Sequence, residues 1–154
     1  MRSITLLSSL LLAFAAAQQS PAPGNYLIQI AEPGVRYGRF LSAGGVQRFL
    51  KINKHHSRTW QVEHVDGTEE FVLKYTNKKV KTWNVVAGKG PFHTLRLREQ
   101  SGTRWVAEKA AGNAVYLKMV SDDSEEDQYL SVTSWGKVRT QKSEHKTRWH
   151  FVTL

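Results

Sequence analysis

The chain has 154 residues, a formal net charge of +9 and no cysteine. That is the length of one domain, and without cysteine it has no disulfide scaffold, thiolate metal site or cysteine nucleophile. A mean hydropathy of −0.45 fits a soluble globular protein and excludes a disordered one, and the basic excess leaves room for an anionic partner without naming it.

The first element is a leader. Arg2 precedes an apolar run from Leu6 to Phe14, and Ala15-Ala16-Ala17 supplies the small residues of a signal-peptidase site. Residues 1–17 therefore read as a secretory signal peptide, and the run is shorter than the roughly 20 residues a membrane span needs. The expected product is a secreted, extracellular protein with no membrane association. Residues 18–25 (Gln-Gln-Ser-Pro-Ala-Pro-Gly-Asn) read as a flexible lead-in.

From residue 26 onward, short apolar or alternating runs are separated by Gly, Asn, Asp and Lys, which predicts an all-β domain over 26–154. The first group of strands is expected at 26–31, 38–43, 49–53 and 59–64. The second is expected at 69–75, 81–86, 93–98 and 103–109, and the third at 114–120, 128–133, 137–141 and 147–152. The grouping rests on self-similarity. Thr59-Trp60, Arg104-Trp105 and Arg148-Trp149 place a tryptophan at spacings of 45 and 44 residues. Tyr26, Phe71 and Tyr116 open similar runs 45 residues apart. A third marker is Phe40, Trp83 and Tyr129. A fourth is Leu50-Lys51-Ile52, Leu95-Arg96-Leu97 and the degenerate Val138-Arg139-Thr140.

One four-stranded repeat cannot bury its own apolar face, so three must share a core. The repeats span 26–65, 66–110 and 111–154, and Trp60, Trp105, Trp149, Tyr26, Phe71 and Tyr116 are expected inside. Trp83 and Trp135 fall outside this periodicity, and Trp135 sits in the tight turn Ser134-Trp135-Gly136-Lys137. Three repeats of about 45 residues with four short strands each resemble the β-trefoil fold over the whole of 26–154. A small propeller needs more repeats for closure and fits less well.

No Gly-X-Ser-X-Gly, P-loop or His-Glu-X-X-His motif occurs, so no enzymatic activity, catalytic residue or cofactor is expected. His55-His56 lacks a second ligand pair at metal spacing. The acidic run Asp122 to Asp127 fails as a calcium loop, because Asp127 and Thr133 stand where Gly and Glu are required. No metal site is therefore expected. The basic excess lies in the first two repeats, where Arg36, Arg39, Lys74, Lys78, Lys79 and Lys81 form a candidate anionic-ligand set. Base-stacking aromatics are not interleaved with them apart from Trp83, so nucleic acid is not the expected partner.

Function on such a scaffold belongs to the loops. Gly24-Asn25-Tyr26-Leu27-Ile28, with Thr59-Trp60-Gln61-Val62 and Arg148-Trp149-His150-Phe151, resembles the fungal β-trefoil protease inhibitors, the mycocypins and related serine-protease inhibitors. Ricin-type lectins carry Gln-X-Trp, where this chain has Arg58, Thr103 or Thr147 two residues before each Trp. Plant Kunitz inhibitors usually carry disulfides, and no convincing motif of the growth-factor trefoils is present.

The inhibitor resemblance implies a monomer that presents a loop to an extracellular serine or cysteine protease. Lys142 or Lys146, between strands eleven and twelve, would enter a trypsin-like pocket. Asn77, with Lys78 beside it, would engage a legumain-type enzyme, and the first hairpin around Pro33 and Gly34 would face papain-like enzymes. The alternative is a lectin-like module or secreted effector that binds an anionic glycan.

Overall fold

The computed structural model describes residues 20–32, 39–44, 48–55, 58–76, 81–88, 94–121 and 126–154. Among them, the strands are β1 Gly24–Ile30, β2 Phe40–Gly44, β3 Phe49–Asn53, β4 Trp60–His64, β5 Phe71–Thr76 and β6 Thr82–Ala87. The chain continues with β7 Leu95–Arg98, β8 Arg104–Lys109, β9 Val115–Met119, β10 Tyr129–Val132, β11 Val138–Gln141 and β12 Trp149–Thr153. A short 3₁₀ turn, Ser143–His145, precedes β12. The protein is all-β, and every strand expected from the sequence occurs within two residues of its expected ends. Residues 1–17, read as a leader, lie outside the described residues, and no described helix is long and apolar enough to cross a membrane.

The pairings are antiparallel throughout and repeat three times. Hairpins form between β2 and β3, β6 and β7, and β10 and β11. The remaining six strands pair in the order β1–β4–β5–β8–β9–β12, and β12 pairs back onto β1. Such a path leaves few strand edges unpaired.

The core follows the same period. Trp60, Trp105 and Trp149 are fully buried, as are Ile28, Leu73 and Leu117 from β1, β5 and β9, and Leu41, Val85 and Leu130 from the hairpins. Each buried indole removes roughly 150–250 Å² from water, a gross gain of about 4–6 kcal/mol before chain entropy is charged against it. Trp83 is also in the core, at 8% exposure.

One expected core residue is corrected. Trp60 faces Tyr26 and Trp105 faces Phe71 across their strand pairs, but Trp149 faces Val115. The third repeat is one residue shorter here, and a one-residue slip moves a strand side chain to the opposite face. Val115 takes the inner position, so Tyr116 is only half-buried and packs edge-on against Tyr129, with ring centroids 6.4 Å apart.

The three tryptophans differ in their hydrogen bonds. Trp60 Nε1 donates to the Leu41 carbonyl at 3.0 Å, and Trp149 Nε1 donates to the Leu130 carbonyl at 2.9 Å. The matching carbonyl of the second repeat, Val85, accepts the Thr103 N–H at 2.9 Å instead. Trp105 Nε1 is buried without a partner. Trp60→Phe and Trp149→Phe each lose a buried hydrogen bond to a backbone carbonyl, whereas Trp105→Phe removes an unsatisfied donor. In urea denaturation Trp105→Phe is expected to be the mildest of the three, by about 1–3 kcal/mol. Equal losses in all three would contradict the geometry.

Candidate functional site

The site begins with the turn that joins β10 to β11. Thr133 N–H donates to the Lys137 carbonyl at 2.8 Å, and Gly136 N–H donates to the Thr133 carbonyl at 2.9 Å. The Thr133 hydroxyl accepts the N–H groups of Trp135 at 3.3 Å and Lys137 at 3.1 Å. Gly136 has φ of +80°, the left-handed region that costs a residue with a Cβ about 1 kcal/mol or more. Thr-Ser-Trp-Gly-Lys thus folds into a pinned turn with Trp135 at its tip. Trp135 is 80% exposed, while the other four tryptophans are buried.

Beside this turn lies a cleft of about 660 Å³, walled by Trp135 and floored by β11 and the start of the next connection. Thr140 is fully buried on that floor. It faces Leu130 across the hairpin, as Ile52 faces Leu41 and Leu97 faces Val85 in the other repeats. A hydroxyl therefore replaces an aliphatic core group, and Thr140 Oγ1 has no hydrogen-bond partner among the described residues. Gln141 Nε2, next along the floor, is likewise shielded and unpartnered. A buried polar atom left unsatisfied costs about 1–3 kcal/mol, so such atoms normally meet a partner from water or a ligand.

Basic side chains complete the rim. Arg139, Lys142 and His145 line the cleft. Lys142 Nζ lies 3.0 Å from Glu126 Oε2, and the hydrogen bond and charge of Glu126 hold its pKa above the ordinary lysine range. Lys142 is thus a cation throughout the neutral pH range. At the base of the hairpin, the Tyr129 hydroxyl donates to Glu108 Oε1 at 2.7 Å; burial, then this bond, push the phenol well above its usual range.

Of the binding residues expected from the sequence, Lys142 alone lines this cleft among the described residues. Lys146 is half-buried, with its ammonium 4.2 Å from the Tyr116 ring centroid and 5.0 Å from that of Tyr129. Those two ring contacts hold it against the body of the protein.

Lys74 is bonded to Glu63 at 2.7 Å and Lys81 pairs with Glu99, so the two described lysines of that hairpin each have a carboxylate beside them. Arg39 is exposed at the entry to β2, where its N–H donates to the Asn53 carbonyl at 3.2 Å. Pro33, Gly34, Arg36, Asn77, Lys78 and Lys79 lie outside the described residues.

Sequence reasoning missed Thr140, Gln141, Arg139 and His145 as site residues. The signal for Thr140 was on view as the polar residue in the degenerate third copy of an otherwise aliphatic marker. Among the described residues, no group of three His, Cys, Asp or Glu could hold a metal ion. Compared with protein-family models and with curated proteins, the chain matches none.

Proposed function

We propose that this protein is a β-trefoil binding module that takes an acidic glycan in the cleft beside Trp135. The three hairpins and the returning six-strand path support the trefoil reading. The observation that carries the glycan reading is Trp135 itself, a large apolar surface held in water by a pinned turn at the wall of a cleft. Packing does not account for it, and a sugar ring offers the matching surface: a flat C–H face for the indole and hydroxyls around its edge. Gln141 and Thr140 supply polar atoms that lack partners among the described residues. Arg139, which lines the cleft, favours a carboxylate or sulfate substituent over a neutral sugar, and Lys142 beside it is shared with Glu126.

The test is a titration of the protein with uronic-acid, sulfated and neutral oligosaccharides, followed by calorimetry and tryptophan fluorescence. Acidic sugars are expected to bind at least about tenfold tighter than neutral ones of equal length, with an affinity that falls as salt rises. No binding at millimolar sugar, or equal affinity for neutral sugars, would overturn the reading.

A second reading, inhibition of an extracellular protease, draws on the resemblance to the fungal inhibitors. One observation favours it: Lys142 is exposed, with φ −64° and ψ 166°. This is the extended backbone that a protease cleft accepts. The Ser143–His145 turn that follows shortens the extended stretch to the residues before it. Inhibition of a trypsin-like enzyme that disappears in Lys142→Ala would support this reading; no inhibition across serine and cysteine proteases would remove it.

A further inference from the structure

A second cavity, of about 250 Å³, lies on the first two repeats, away from the Trp135 turn. Its walls include Gly44, Arg48, Arg58, Tyr75 and Trp83. Tyr75 and Trp83 face each other across the β5–β6 pair, so their side chains lie on the same side of the sheet. The Arg48 guanidinium lies 3.8 Å from the Trp83 ring centroid, and the Arg58 guanidinium 4.4 Å from the Tyr75 centroid. Two guanidiniums thus lie against two rings that line one hollow.

Three features say that this arrangement is built rather than incidental. Arg48 has φ of +55° and, among the described residues, no other residue with a side chain has positive φ. That conformation is unfavourable for a residue with a Cβ, and it is held here where it places a cation on Trp83. Arg58 is fixed from the other side by Nε donating to the Ala43 carbonyl at 2.8 Å. It stands where Thr103 and Thr147 stand in the other repeats, whose hydroxyls accept the Ala87 and Val132 N–H groups. The first repeat therefore replaces a small polar residue with a stacked cation. Third, a Cβ built on Gly44, a residue of the cavity wall, would lie 2.9 Å from Lys51 Nζ, so a further ammonium stands close to that wall.

No acidic side chain lines this cavity among the described residues. A guanidinium stacked on a ring keeps its N–H groups pointing outward in its own plane, the geometry that grips an oxyanion by paired hydrogen bonds.

We propose that this cavity is a binding site for a tetrahedral oxyanion, a sulfate or phosphate group, held by Arg48 and Arg58, with Lys51 adding positive charge near its Gly44 wall. The site is separate from the Trp135 cleft and does not depend on the glycan reading.

The experiment titrates the protein with sodium sulfate and sodium phosphate against sodium chloride at matched ionic strength, following the Trp83 indole N–H resonance. Sulfate or phosphate is expected to shift that resonance to saturation at millimolar concentration. Arg48→Gly removes the guanidinium and suits the positive φ, so the variant keeps its fold; it is expected to weaken binding at least about tenfold. Trp135→Ala is expected to leave this binding unchanged. A sulfated monosaccharide that competes at equal or lower concentration would identify a sulfate ester as the bound group, and failure to compete would identify the free ion. A response that does not saturate, or saturates equally in Arg48→Gly, would overturn the proposal.

Discussion

Trp135→Ala is expected to lower the affinity for an acidic oligosaccharide by roughly 10- to 100-fold while leaving stability within about 0.5 kcal/mol of the parent. The asymmetry follows from where the residue stands. Its indole is 80% exposed and contributes little to the core, so truncation strands no buried neighbour. Its backbone N–H still meets the Thr133 hydroxyl, and Gly136 keeps the turn closed. The lost term is the sugar face that the indole would cover. Fluorescence isolates this residue, because the other four tryptophans are buried. The parent is expected to show one water-exposed, acrylamide-quenchable component that an acidic sugar protects and the variant lacks. Unchanged affinity in the variant would remove the cleft from the binding reaction even if the protein binds glycans elsewhere.

The strands were legible because their cause is local and repeated. Alternation places Ile28, Leu73 and Leu117 on one face, and the tryptophan spacing marks where each repeat ends. The same spacing held the correction for Tyr116: the tryptophans are 44 residues apart where the aromatic openers are 45 apart. The residue at the short end therefore sits out of register. The sites were less legible because they are assembled across elements. Arg48, Arg58, Tyr75 and Trp83 come from two connections and two strands, and stacking between them has no sequence spacing. Charge counting pointed to the first two repeats but to different residues: Lys74 and Lys81 spend their charge on Glu63 and Glu99. Trp135 was recognisable as an exposed turn residue; the cleft behind it depends on the fold.

Thr140→Val is expected to stabilise the protein by about 1–3 kcal/mol and to weaken glycan binding several-fold. Valine matches threonine in shape and suits a strand, so the change exchanges a hydroxyl for a methyl at a fully buried position. The threefold pattern shows what that position accepts, since Ile52 and Leu97 occupy it in the other repeats. A hydroxyl without a partner there is a stability cost that an aliphatic group avoids. If the cost is retained for binding, removing it separates the two properties: the urea midpoint rises while sugar affinity falls. A variant that gains stability and keeps full affinity would take Thr140 out of the site and leave binding to Trp135, Gln141 and the rim cations. A variant that loses stability would show that the hydroxyl already has a partner in the free protein, such as a water on the cleft floor. The direction of the stability change therefore reads the state of the empty cleft, and the affinity change reads the ligand's use of it.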